Sequence, residues 1–171
     1  MVKTSKEDFF KSIKKSFVNE TEVEKGDIEN LKNYDEHVVV KYDFKMSTNG
    51  DDIYYFNPML TEAYKTNPFK SAQRFYPVEM PYTTNETYVM SMEVPEGYKI
   101  DELPKSVRVK FNDDEGKFEY IVGQNKGAIQ LRCTILLTKA VFMPEEYESL
   151  RNFFAYIVKK QSEQIVFKKI K

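Results

Sequence analysis

At 171 residues the chain is long enough for one domain with a substantial core and short for two. Its 26 Lys and Arg against 27 Asp and Glu leave a net charge of −1, so no overall field attracts polyanions, which argues against a dedicated nucleic-acid binder. One cysteine, Cys133, excludes an intrachain disulfide scaffold, and no stretch approaches the ~18 apolar residues of a membrane-spanning helix.

The first element is helical. Phe9, Phe10, Ile13 and Phe17 recur at helical spacing over residues 5–17, Ser5 and Asp8 fit an N-terminal capping pattern, and lysines fill the last turn. Residues 19–35 are polar, with Val23, Ile28 and Leu31 too sparse to set a period, and have room for one strand and a turn. From residue 36 the pattern is plain: Val38, Val40, Tyr42, Phe44 and Met46 alternate with charged side chains, a half-buried strand. Ser47-Thr48-Asn49-Gly50-Asp51-Asp52 then reads as a hairpin turn, with Ile53-Tyr54-Tyr55-Phe56 as the returning strand.

Residues 57–81 carry Pro58, Pro68, Pro77 and Pro81, which remove ladder donors and predict a long irregular connection, with room for one helical turn at Leu60, Ala63 and Tyr64. Four more strands follow, marked by Tyr88 to Val94, Val107 to Phe111, Phe118 to Val122 and Ile129 to Leu137. The six glycines are all assigned to turns or their neighbourhood. The best-marked helix begins at Pro144, with Glu145 and Glu146 at its start and Lys159 and Lys160 at its end. Its stripe is Tyr147, Leu150, Phe153, Phe154, Ile157 and Val158. Ile165-Val166-Phe167 adds a final short strand. With 13 Phe and 12 Tyr, the chain has the ring-rich composition of pleated, half-buried surfaces, while the absence of Trp counts against a carbohydrate platform.

These elements predict a mainly β fold: an antiparallel β-sandwich, immunoglobulin-like or related, with an N-terminal helix over residues 1–18 and a domain over 19–171 whose C-terminal helix packs on a sheet. No catalytic, cofactor or metal set stands out. Cys133 is in phase with Ile129, Leu131, Ile135 and Leu137, the inward face of a strand, and a reactive thiol needs access and a cationic neighbour. His37, the only histidine, reads as an exposed strand end. The acidic tips Asp113-Asp114-Glu115-Gly116 and Asn49-Gly50-Asp51-Asp52 lack the spaced-oxygen pattern of a helix–loop–helix calcium site. Two features exceed a generic domain. Arg74, within Arg74-Phe75-Tyr76-Pro77, is expected to be buried as a structural anchor, and Phe9 and Phe10 are the candidate interface.

A run of short motifs occurs in order: Asn57-Pro58, Asn67-Pro68-Phe69, Arg74-x-Tyr76-Pro77, Pro95-Glu96-Gly97-Tyr98, Glu102-Leu103-Pro104-Lys105-Ser106, Phe142-x-Pro144-Glu145-Glu146-Tyr147, Leu150-Arg151-x-Phe153-Phe154 and Lys160-Gln161-x-Glu163-Gln164-Ile165-Val166. Over residues 27–170 this resembles the C-terminal domain of unknown function in bacterial transglutaminase-like proteins. The resemblance implies an accessory domain beside a transglutaminase- or protease-like core, in an exported protein of the periplasm or cell surface. The Cys–His–Asp triad of such a core lies outside the matching part, so no catalytic role passes to Cys133 or His37. The alternative is a glycan- or peptide-binding sandwich, using rings such as Tyr54 and Tyr55 and the 57–81 region.

Overall fold

Ser5 opens the first helix, α1 (Lys6–Ser16), in a computed structural model that describes residues 5–16, 21–48, 50–125 and 127–171. The Asp8 amide donates to Ser5 Oγ at 3.1 Å, and the Ser5 hydroxyl donates to the Asp8 carboxylate at 2.8 Å, so the expected cap is formed. Phe17 and Asn49, to which the sequence assigns places in the helix and the turn, lie outside the described residues. The chain divides into two compact units, 1–50 and 51–171, so the boundary falls at Gly50/Asp51 and not at residue 18.

In the first unit, β1 (Thr21–Glu29) pairs antiparallel with β2 (Val39–Met46). Opposed side chains Val23 and Phe44, and Ile28 and Val40, share one face of this ribbon. Gly26 sits on that face opposite Tyr42, and the Phe10 ring of α1 fills the space its missing side chain leaves; a Cβ there would stand 2.5 Å from the ring. The hairpin expected across residues 47–52 is corrected: β2 takes β1 as its partner, and β3 (Ile53–Phe56) belongs to a sheet of the second unit.

The second unit contains a four-stranded antiparallel sheet in the order β5-β9-β8-β7, from β5 (Thr84–Glu93), β7 (Val107–Phe111), β8 (Gly116–Asn125) and β9 (Ala128–Leu137). A three-stranded antiparallel sheet, β3-β11-β6, joins β3 to β6 (Tyr98–Glu102) and β11 (Ile165–Lys169). The two-residue strands β4 (Val78–Glu79) and β10 (Val141–Phe142) pair with each other. Consecutive left-handed residues Asn112 (φ 42°) and Asp113 (φ 59°) make the tight β7–β8 connection, a conformation Asn and Asp tolerate better than most side chains.

Period-two alternation decides the core. Ile129, Leu131, Cys133, Ile135 and Leu137 of β9, Phe118 and Tyr120 of β8, and Met90 of β5 are buried on one sheet face. Onto this face packs α2 (Tyr147–Gln161), entered through a 3-10 turn at Pro144–Glu146. Phe153 meets Phe111 at 5.0 Å and Tyr156 meets Phe118 at 6.2 Å, between ring centroids. Tyr147 and Phe154 look the other way, and there the proline-rich segment covers them: Phe69 lies 6.2 Å from Tyr147 and 5.1 Å from Phe154, and Tyr64 lies 5.6 Å from Phe154. The helical turn considered at Leu60 to Tyr64 is instead a pair of tight turns, closed by Leu60 and Glu62 amides.

Two Asn-Pro-x turns hold that segment on the helix. Each asparagine accepts, through Oδ1, the amide two residues on (Met59 at 2.8 Å, Phe69 at 2.9 Å), then donates its Nδ2 to a carbonyl of α2. Asn57 reaches the Gln161 carbonyl at 2.9 Å, one of the acceptors a helix end leaves open, and Asn67 reaches the Arg151 carbonyl at 2.8 Å. Tyr147 adds a bond to the Ser71 carbonyl at 2.9 Å. At the far end of the sheet Lys139 bridges Glu115, at 2.7 Å, and Glu146; its hydrogen bonds hold both carboxyls below the ordinary glutamate range.

Two glycines of β8 give opposite expectations. A Cβ at Gly116 would stand 2.5 Å from the Leu136 carbonyl oxygen and 2.8 Å from Leu137, while at Gly123 it would meet nothing within 4 Å. Chemical denaturation of Gly116→Ala should show a loss of about 1–3 kcal/mol. Gly123→Ala should be neutral or slightly stabilising.

Candidate functional site

Because β5, β9 and β8 alternate, the side chains opposite the core form a second, open face. Its register is fixed: Val89, Arg132 and Ile121 lie in one row across the three strands, and Ser91, Gln130 and Gly123 in the next. Gly123 contributes no side chain, so the second row lies low and the surface dips there. The resulting concavity is about 470 Å³, lined by Val89, Ser91, Ile121, Gly123, Gln130 and Arg132 among others. Val89 is 68% exposed at its rim. Beside it Glu119 receives Lys117 at 3.1 Å and Arg108 at 3.4 Å; the Lys117 hydrogen bond chiefly keeps its carboxyl low. Arg132 acts on Glu119 only through charge, and among the described residues no hydrogen bond or ion pair engages its guanidinium. The concavity therefore offers one cation, neutral polar groups and a short apolar wall, equipment for recognition.

The chemistry-bearing side chains of the second unit are concentrated on the opposite face, under the end of α2. Cys133 is 3% exposed, and Gln161 donates Nε2 to its sulfur at 3.4 Å. Burial pushes the thiol up, a push the Gln161 bond partly offsets. Cross-strand from Cys133 is Tyr120, fully buried, whose hydroxyl finds no hydrogen-bond partner among the described residues and is raised by burial. Lys160 is 5% exposed, spans the Tyr120 ring at 5.3 Å and donates to Glu163 at 2.6 Å. Gln161 also accepts the Tyr64 amide at 2.8 Å, so one side chain ties strand, helix and loop together. Tyr64 itself donates to Glu86 at 3.2 Å and, mainly by burial, is pushed up to about 12.

The sequence-derived residues distribute as follows. Arg74 is exposed, with no hydrogen bond or ion pair among the described residues, which corrects the buried-anchor expectation; the asparagine amides of residues 57 and 67 hold the segment instead. Its neighbours Phe75 and Tyr76 are 83% and 80% exposed. Phe9 and Phe10 are half-buried, 5.4 Å apart edge to face. His37 is exposed in the first unit, and its carbonyl accepts Asn30 Nδ2. Tyr54 is buried against Phe167, which removes it from a ligand platform and leaves Tyr55, 59% exposed, as the accessible ring of that pair. Among the described residues no group of three or more His, Cys, Asp or Glu side chains could hold a metal, and no helix is long and apolar enough to cross a membrane. The sequence reading missed the concavity; its signal was Gly123, a glycine inside a strand and not in a turn.

Fold and site together define a mainly β domain with one face closed over a buried thiol and one face open. Residues 51–167 match the family described as a domain of unknown function with solved structure, DUF3858, and the chain belongs to that family. No curated protein matches it in sequence. A crystal structure from Parabacteroides distasonis, described as a putative protease, shares the fold with a TM-score of 0.56 and 18% identity. The match covers 70% of this chain and 24% of that one, so this chain corresponds to about a quarter of the longer protein.

The burial of Cys133 generates a direct expectation. In native buffer a thiol reagent such as iodoacetamide should label Cys133 slowly, with rapid labelling once denaturant unfolds the second unit. Fast native labelling would contradict the closed face.

Proposed function

We propose that this chain is a non-catalytic accessory domain that packs against, or positions, the transglutaminase- or protease-like core of a larger bacterial protein of the periplasm or cell surface. The observation that carries the reading is the recurrence of this fold as 24% of a longer chain described as a putative protease. Its physical counterpart is the placement of the single thiol beneath α2, bonded to an amide and raised by burial, with no cation-activated thiolate. We read the two larger sheets of residues 51–171 as the layers of a sandwich. Each presents a buried face, Leu131 and Ile135 on one and Phe56, Ile165 and Phe167 on the other.

The concavity at Gly123 favours a second reading, a peptide- or glycan-binding module, since Ser91, Gln130 and Arg132 supply polar groups beside Val89 and Ile121. The two readings differ in what the isolated chain does: the accessory domain binds neither peptides nor glycans by itself.

The test pairs genetics with enzymology. Sequencing the coding region around the gene is expected to reveal a transglutaminase- or protease-like core in the same protein or beside it. The purified chain is expected to show neither peptide hydrolysis nor acyl transfer, with Cys133→Ser indistinguishable from the original. Turnover abolished by Cys133→Ser would refute the accessory reading, and tight peptide or glycan binding lost in Arg132→Ala would replace it with the second.

A further inference from the structure

The first unit is a thin assembly. Its two strands and α1 leave every described side chain at least partly exposed. Two-stranded ribbons are marginal in water, and a third or fourth strand changes that. The two outer edges differ. The edge of β1 carries an irregularity between Val23 and Lys25 and a dense run of charges, Glu22, Glu24, Lys25, Asp27 and Glu29, devices that discourage pairing. The edge of β2 runs eight residues with no bulge and no proline, and among the described residues no strand but β1 pairs with it.

We propose that this β2 edge is a homodimer interface, joining two copies of the chain into one antiparallel sheet in the order β1-β2-β2-β1. The sequence of β2 is self-complementary in one register. With Tyr42 on the two-fold axis, Lys41 stands opposite Asp43 of the partner subunit, twice, and Val40 stands opposite Phe44 of the partner subunit, twice. The neighbouring register of the same facial parity, centred on Asp43, opposes Asp43 with itself and Lys41 with Lys45. A shift of half a step places the apolar face of one strand against the charged face of the other. In the Tyr42 register the apolar rows run unbroken across four strands, Ile28 and Val40 continuing into Phe44 and Val23 of the partner subunit. Lys41, which already holds Glu29 at 2.6 Å, then lies between two carboxylates, and Asp43, without an ion pair among the described residues, gains one.

Sedimentation velocity and light scattering on the full 171-residue chain test this. The expected result is a concentration-dependent dimer. Asp43→Lys, which turns both attractions into repulsions, should raise the dimer dissociation constant about tenfold or more. Because Lys25 faces Asp43 and Asp27 faces Lys41 within the ribbon, the rescue is made between chains. An equimolar mixture of Asp43→Lys and Lys41→Glu restores both attractions across the interface, so the mixed dimer should form about tenfold or more tightly than either variant with itself. Circular dichroism checks that each variant folds, and Asp43→Asn, expected to weaken the dimer to a smaller degree, serves if the lysine variant does not. A monomer across the accessible concentration range overturns the proposal, as does a dimer indifferent to both Asp43 substitutions. Either result leaves the accessory reading intact, since that reading concerns the catalytic partner and not self-association.

Discussion

The second unit depends on the burial of α2 from two sides. An amphipathic helix normally offers one apolar stripe to one surface. Here Leu150, Phe153 and Ile157 are buried together with Tyr147 and Phe154, an arc of about 120° at 3.6 residues per turn, and two elements share its cover. The four-stranded sheet takes Phe153 through Phe111, and the proline-rich segment takes Phe154 and Tyr147 through Phe69 and Tyr64. A segment with few ladder donors stays in place because asparagine amides substitute for a sheet, reading helix carbonyls with one end and closing their own turns with the other. Burial supplies the driving force and these polar bonds supply the register.

That arrangement bears on function. The helix end that accepts Asn57 also brings Gln161 and Lys160 over Cys133 and Tyr120, so the residues most able to do chemistry in this unit are used to join layers. Recognition is left to what the packing does not consume: the open sheet face around Gly123 and the exposed rings Phe75, Tyr76 and Tyr82. The proposed accessory role takes its physical support from that use of the thiol.

Much of this was legible in the sequence where one period dominates. β2, β7, β8, β9 and α2 show clean alternation or a clean stripe, and their positions follow closely. β1 was obscured by its own irregularity: the break between Val23 and Lys25 puts Val23 and Ile28 out of a strict period of two. β6 has only Tyr98 and Ile100 to mark it, and the two-residue β4 and β10 are too short to carry a period at all. Pairing was the harder matter. Adjacency and an Asn-Gly turn suggested that β2 and β3 form a hairpin, yet β3 lies against β11, over a hundred residues on, where Tyr54 and Phe56 meet Phe167. Arg74 misled because an aromatic, proline-rich setting resembles a buried one, whereas Asn57 and Asn67, inconspicuous as turn formers, do the anchoring.

Hydrogen exchange measured with increasing denaturant examines the central claim, that helix and sheet of residues 51–171 close over one another as a single cooperative layer pair. Amides of Leu131 to Ile135 and of Phe153 to Val158 should merge onto one opening isotherm, at the highest free energy in the protein. Exchange of the helix by a separate, cheaper opening that leaves β9 protected would contradict it.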